Sequence, residues 1–267
     1  MMDIEKYIAD KKKIIDKVLD RYLPGSDTKP AIIHTAMRYS LFPGGKRIRP
    51  VLTFASFEAC GGKGNSIIPV ACGIELIHSY TLIHDDLPCM DNDDFRRGKR
   101  TCHKKFGEDI ALLAGDGLLT LAFQVIAESG NIDVIKVISK AIGTCGVIGG
   151  QVVDVLQKRA SKRQRAEIEY INLNKTAVLF EVAVKSGGII KGAGEREINA
   201  LGNFGRDIGI TFQLLDDLKD KDGYVKLYGV GRTKEKTKIL AKRAKSHLKI
   251  FGKKANMLLK LADTILT

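Results

Sequence analysis

Two apolar stretches of helical period, Leu82-Ile83-His84 and Phe212-Gln213-Leu214-Leu215, each run directly into a cluster of aspartates. The clusters are Asp85-Asp86-Leu87-Pro88-Cys89-Met90-Asp91 and Asp216-Asp217-Leu218-Lys219-Asp220, and they begin 131 positions apart. Carboxylates packed this closely repel one another unless something cationic sits between them. Asp216 and Asp220 are four apart and so project from one face of a helix, with Asp217 beside them pointing partly away. Pro88 distorts the last turn of the first helix and brings Asp91 back toward Asp85. Two helices presenting such pairs across a cavity give oxygen-only ligation suited to Mg²⁺. That ion takes one or two carboxylates and leaves room for substrate phosphates.

The rest of the chain fits a helical frame around those clusters. Strand signals are few, and three/four spacing predicts helices near 3–22, 30–40, 50–60, 66–90, 108–128, 131–148, 163–188 and 195–220, then a C-terminal stripe. Gly61 to Asn65 and Gly187-Gly188 through Gly194 are expected as turns. The economical architecture is one all-α domain over residues 1–267. Hydrophobic content of 44% is ample for a core. No stretch is expected to supply the ~20 apolar residues that cross a bilayer. The five cysteines are scattered with no C-x-x-C pair, which argues against a disulfide framework or zinc site and fits a reducing compartment. With no signal-like start, the expectation is a cytoplasmic protein.

The net charge of +13 is unevenly placed, since eleven Lys or Arg stand against the single acid Glu235 between Arg232 and Lys260. Leu240, Ala244, Leu248, Phe251, Ala255, Leu258, Ala262 and Ile265 recur through that region every three or four residues. They predict a terminal helix packed on the core behind a solvated lysine face. Trp is absent and no nucleic-acid motif accompanies the charge, so no nucleic-acid partner is expected.

Metal-ligating carboxylates of this kind call for phosphate-binding residues. Gly44-Gly45-Lys46-Arg47-Ile48-Arg49-Pro50 offers a flexible turn, three cations and a proline suited to the first residue of the next helix. It is not a Walker loop. Arg96-Arg97 follows the first cluster, and Lys175-Thr176 lies in the helix after 170. Together with the aspartates, these favour a diphosphate site.

The run from Leu82 to Gly98 resembles the first aspartate-rich motif of the trans-isoprenyl diphosphate synthases. Phe212 to Asp220 resembles their second motif, and Gly44 to Pro50 their basic diphosphate-binding turn. Gly107 to Asp116, Gly150-Gln151 with Asp154, and Lys175-Thr176 add to the likeness, which spans roughly residues 30 to 220. The resemblance implies an isoprenoid-synthase helical bundle around a central cavity, a homodimer, and about three Mg²⁺ ions. It implies that Asp85, Asp91 and Asp216, with Asp220 in support, hold Mg²⁺ against an allylic diphosphate, with Arg96, Lys175 and Lys219 or Lys221 adding positive charge. Isopentenyl diphosphate would be held by Lys46, Arg49, His78 and Arg97. Thr176 and Gln213 would aim oxygen dipoles at the allylic cation, while His84 and His103 are left as structural.

Tyr80 and Thr81 stand five and four residues before Asp85, about one turn deeper, where their bulk floors the chain pocket. An aromatic there, with the two extra residues around Pro88 and Cys89, resembles bacterial farnesyl diphosphate synthases. The Pro-Cys-Met-Asp-Asn-Asp wording also resembles C20 synthases. Geranylgeranyl diphosphate synthesis is therefore the alternative, and a non-catalytic partner subunit a further one. A terpene cyclase is disfavoured by the second aspartate cluster, and no integral membrane segment is expected. One departure is plain. After Asp220 the family has a longer loop, whereas here Lys221 to Lys226 leads straight into Leu227-Tyr228-Gly229.

Overall fold

The structure, a computed structural model, describes residues 3–42, 44–160 and 164–266. Two compact units share the chain, Met1–Val51 with Ile68–Gly130 and Leu52–Ile67 with Asn131–Thr267. The first unit holds α1 (Ile4–Tyr22), α2 (Ala31–Leu41), the start of α3 (Ile48–Ala59), α4 (Ile68–Asp85), the strands β1 (Phe95–Arg96) and β2 (Lys99–Arg100), α5 (Cys102–Phe106) and α6 (Glu108–Ala127). The second holds the rest of α3, then α7 (Ile132–Ile142), α8 (Val147–Arg159), α9 (Arg165–Ile171), a π-helical turn (Asn172–Ala177), α10 (Val178–Lys191) and α11 (Glu195–Asp220). It ends with α12 (Tyr224–His247), a 3₁₀ stretch (Leu248–Ala255) and α13 (Asn256–Leu266). The architecture is all-α, as the helical spacing predicts.

In the first unit α4 and α6 lie against one another at close range. A Cβ on Gly73 would fall 2.3 Å from Ile126 Cγ1, and one on Gly115 would fall 2.1 Å from His84 Nε2. Close packing buries Ala111, Ala114, Leu118, Ala122 and Val125 of α6, while Leu112 and Leu113 of the same helix stay exposed. By length and composition this helix could cross a membrane, which overturns the expectation that no stretch reaches that limit. Helix α4 ends at Asp85 rather than running on to residue 90. Pro88 has no N–H to give and disfavours helical backbone at Leu87.

Beneath the basic turn, Arg47 is only 3% exposed. It is therefore no surface cation. Its guanidinium donates to Asp16 at 2.9 Å, Glu75 at 2.6 Å and the Leu41 carbonyl at 2.7 Å. Pro50 is the third residue of α3 rather than its first.

In the second unit a buried cluster of Ile168, Ile171, Leu214, Tyr224 and Leu240 joins α9, α11 and α12. The predicted 131–148 helix is two helices, because the chain breaks between Ile142 and Val147. A Cβ at Gly146 would lie 1.9 Å from the Ala141 carbonyl oxygen. Helix α8 shares only residues 147–148 with that expected 131–148 helix and otherwise runs where the spacing predicts none. The start of the expected 163–188 helix falls outside the described residues, and that segment continues through the π turn to Lys191. Gly187 and Gly188 are not in a turn but inside α10. A Cβ at Gly187 would lie 2.1 Å from Ser56 Oγ, so its absence lets α10 rest on α3. The C-terminal stripe is buried at Leu240, Ala244, Leu248, Phe251, Ala255, Leu258 and Ala262. It does not form one helix, because Gly252 (φ 54°) bends the chain between α12 and α13.

Replacing Arg47 by Met should destabilise the protein by about 3–5 kcal/mol, because Glu75 is left buried without its counter-charge. Urea unfolding midpoints check this, and Arg47→Met combined with Glu75→Gln should recover part of the loss.

Candidate active site

The first aspartate cluster is a fold-back at the end of α4. The Leu87 N–H donates to the His84 carbonyl and the Met90 N–H to the Leu87 carbonyl, closing a compact turn. The Asp91 N–H then donates to the Asp85 carbonyl at 2.9 Å, which brings the two residues together as Pro88 predicts. Both are half-buried, whereas Asp86 between them is 3% exposed. Arg96 donates from Nε to both Asp86 oxygens, at 2.7 and 2.9 Å. Burial pushes the Asp86 carboxyl up, against the opposing pull of Arg96. Arg96 thus grips Asp86 and also approaches Asp93 at 3.4 Å.

Arg97 follows at the tip of the β1–β2 hairpin, where Arg97 (φ 54°) and Gly98 (φ 75°) both take left-handed backbone. That pair is the conformation of a tight two-residue hairpin turn. Its Nη1 donates to the Gly44 carbonyl at 2.8 Å, so the hairpin reaches the basic turn. A Cβ at Gly45 would lie 2.9 Å from that same nitrogen, and Gly45 itself has φ +138°. Arg49 approaches from α3, its Nη1 3.5 Å from His78 Nε2 on α4. Burial and the nearby Arg97 push the Arg49 guanidinium down to about 10, with Glu75 opposing. Burial holds the His78 imidazole well below its usual range, and Arg49, Arg97, Arg47 and Arg96 hold it lower still. His78 is therefore neutral at pH 7, beside two arginines that remain charged. Arg49, His78 and Arg97, far apart in the chain, are brought together, while Lys46 is exposed on the adjoining turn.

Tyr80 lies on the same helix, 5% exposed, with its ring edge-on to His84 at 5.7 Å. Burial pushes its hydroxyl up to about 12. His84 Nε2 lies 3.0 Å from the Leu112 carbonyl and so ties α4 to α6. His103 is buried beside Thr101. Both histidines serve the packing.

The second cluster ends α11. Asp216 and Asp220 are one turn apart on that helix, the former half-buried and the latter exposed, and exposed Lys219 lies 3.6 Å from Asp216. Asp217 is buried. It accepts from Gln213 Nε2 at 2.9 Å and from the Tyr224 N–H at 2.8 Å. Burial pushes its carboxyl up, against those two donors. Gln213 Oε1 in turn accepts from the Thr176 hydroxyl at 2.9 Å.

Lys175 and Thr176 sit on the π-helical turn, an irregularity common at functional positions. Lys175 reaches Asp154 on α8 at 2.7 Å, and Lys158 reaches the same oxygen at 3.0 Å. Burial works against ionisation of Asp154, but the two lysines outweigh it and hold the carboxyl below its usual range. Two glycines admit the turn. A Cβ at Gly150 would fall 2.3 Å from the Lys175 nitrogen, and one at Gly209 would fall 2.5 Å from Ala177 Cα. Spacing along the chain assigns no separate roles to Asp86, Asp217 and Glu75. The paired aspartates themselves are the available signal for the first two.

No three His, Cys, Asp or Glu converge as a ready-made metal cage among the described residues. The donor set nevertheless fits Mg²⁺, which binds through one or two carboxylates with water and phosphate oxygen completing its shell. The fold-back beside Asp85 and the Asp216–Asp220 face each supply such a pair.

The sequence profile of the polyprenyl synthetase family matches residues 30–229. A heterodimeric geranylgeranyl pyrophosphate synthase large subunit of Arabidopsis thaliana is 41% identical, covering 98% of this chain and 79% of its own. A crystal structure of an FPP/GFPP synthase from Zymomonas mobilis superposes with a TM-score of 0.95 at 32% identity, covering 99% of both chains. Another, of a geranyltranstransferase from Thermotoga maritima, gives 0.87 at 33% identity over 98% of both. With the carboxylate turns, basic cluster and all-helical fold in place, the chain belongs to the polyprenyl synthetase family of trans-isoprenyl diphosphate synthases.

Proposed function

We propose that this chain is a Mg²⁺-dependent head-to-tail prenyltransferase that extends dimethylallyl and geranyl diphosphate with isopentenyl diphosphate, ending at farnesyl diphosphate. The observation that carries the reading is the arrangement along α4, where His78 in the basic cluster, the buried Tyr80 ring and Asp85 at the end follow in order. Asp85 stands five positions beyond Tyr80 on the helix, about 7.5 Å of rise.

Asp85, Asp91, Asp216 and Asp220 are the residues that would hold Mg²⁺. A metal bound there would neutralise charge that develops on the departing diphosphate. Arg49 and Arg97 bind the diphosphate of isopentenyl diphosphate, Lys46 adds charge from the turn, and neutral His78 contributes a hydrogen bond. Arg96 sets the carboxylate turn by fixing Asp86, and Lys175, held by Asp154, brings positive charge to the allylic diphosphate. The allylic C1–O bond breaks, and its electron pair leaves with diphosphate. Oxygens of Thr176 and Gln213 stabilise the resulting cation. The double bond of isopentenyl diphosphate supplies the electrons of the new carbon–carbon bond at C1. The proton lost from its C2 passes to the released diphosphate, so no side-chain base is required. Tyr80 stops the growing tail after the second condensation. A homodimer in the cytoplasm is the assembly this reading takes, by likeness to the family.

Geranylgeranyl diphosphate is the second reading, favoured by the product named for the Arabidopsis relative. Chromatography of dephosphorylated products distinguishes them. Wild-type protein should give a C15 alcohol as its main product, and Tyr80→Ala should shift the product to C20 or longer. A C20 product from the wild type would remove the role given to Tyr80.

Truncating Arg97 to Ala removes a charge-assisted contact of about 1.5–3 kcal/mol. The KM for isopentenyl diphosphate should rise about 10- to 100-fold, with the KM for geranyl diphosphate little changed. Initial rates against each substrate check this.

A further inference from the structure

We propose that Asp217 is a positioning residue that fixes which end of the Gln213 amide faces the allylic cation. The inference rests on the prenyltransferase reading given above. An ionised carboxylate only accepts hydrogen bonds, so the neighbour that meets Asp217 must present N–H. Gln213 does so through Nε2 at 2.9 Å, and this leaves Oε1 to accept from Thr176 at 2.9 Å. The chain Asp217–Gln213–Thr176 therefore has one direction. Reversed, the amide would set oxygen against oxygen at Asp217 and point its positive end toward the place where a carbocation forms.

Asp217 is itself held in place. Its second oxygen accepts the N–H of Tyr224, the first residue of α12, at 2.8 Å. A carboxylate is stabilised at the N-terminal end of a helix by the unpaired N–H groups and the dipole there. The connection between α11 and α12 is built around that contact. Lys221 (φ 52°) and Gly223 (φ 52°) both take left-handed backbone, and a Cβ at Gly223 would fall 2.5 Å from Asp217 Oδ2. The Asp222 N–H donates to the Asp217 carbonyl at 3.2 Å. Tyr224 then stacks on Tyr228 with centroids 4.0 Å apart, and its hydroxyl accepts from Lys236 at 3.0 Å. The short segment after Asp220 is thus pinned onto Asp217. In this chain it orders the Gln213 amide.

The test compares wild type, Asp217→Asn, Gln213→Glu and the double variant for kcat, both KM values and melting temperature. Asparagine keeps the shape and can still accept from Tyr224, but it turns an N–H toward Gln213 and so flips the amide. Asp217→Asn should lose about 10- to 100-fold in kcat, the scale of one misdirected preorganised dipole. Both KM values should stay within about twofold, because binding of the diphosphates is untouched. Gln213→Glu alone faces two carboxylates toward each other and should lose kcat similarly. In the double variant the introduced asparagine amide donates to one oxygen of the introduced glutamate, and the other oxygen faces Thr176 again. At least about tenfold of kcat should then return. Unchanged kcat in either single variant, or no recovery in the double, overturns the proposal while leaving the prenyltransferase reading intact. Failure of wild-type protein to turn over at all removes that reading, and this inference with it.

Discussion

Like charges held close together are the constraint on which this molecule turns. Arg49, Arg97 and His78 approach one another under partial burial, and each is pushed toward its neutral form by lost hydration and by nearby arginines: Arg97 for Arg49, Arg47 and Arg96 for Arg97, and all four for His78. The fold tolerates the crowding because Glu75 lies beneath it, bound to Arg47 and offsetting the charge on Arg49 and Arg97. An anion entering the cluster relieves a repulsion already built into the folded state. The aspartate clusters pose the inverse demand, for a cation. A substrate carrying diphosphate and accompanied by a divalent metal meets both.

Each cluster solves the same geometric problem. Adjacent helical residues point about 100° apart, so both members of an Asp-Asp pair cannot face one ligand. In each pair the second aspartate turns inward and accepts from the protein. Asp86 takes Arg96, and Asp217 takes Gln213 and the Tyr224 N–H. Asp85 and Asp216 remain nearer the surface.

Much of this is legible without the structure. Helical spacing locates α1, α2, α6 and α11 closely, and Pro88 foretells the return of Asp91 to Asp85. Arg49 and Arg97 read as phosphate-binding cations from their own basic runs, whereas His78, lying alone on α4, is reached only by family likeness. Other features leave no readable period. Helix α8 and the π turn depend on Gly150 and Gly209 clearing space for Lys175 and Ala177, a property of packing alone. Likewise Arg47 reads as one of three equal cations, and only burial reveals it as a structural ion pair. The close seat of α6 on α4 is also a matter of packing, since Gly73 and Gly115 remove the side chains that would keep the helices apart.

Under the proposed prenyltransferase reading, isopentenyl diphosphate binds the basic cluster without help from the carboxylates. Calorimetric titration with isopentenyl diphosphate alone, in chelator and without an allylic partner, tests it most directly. Saturable binding should persist in an Asp85→Asn/Asp91→Asn variant and be lost in Arg49→Met. Binding that survives Arg49→Met but disappears with the two aspartates would contradict the account.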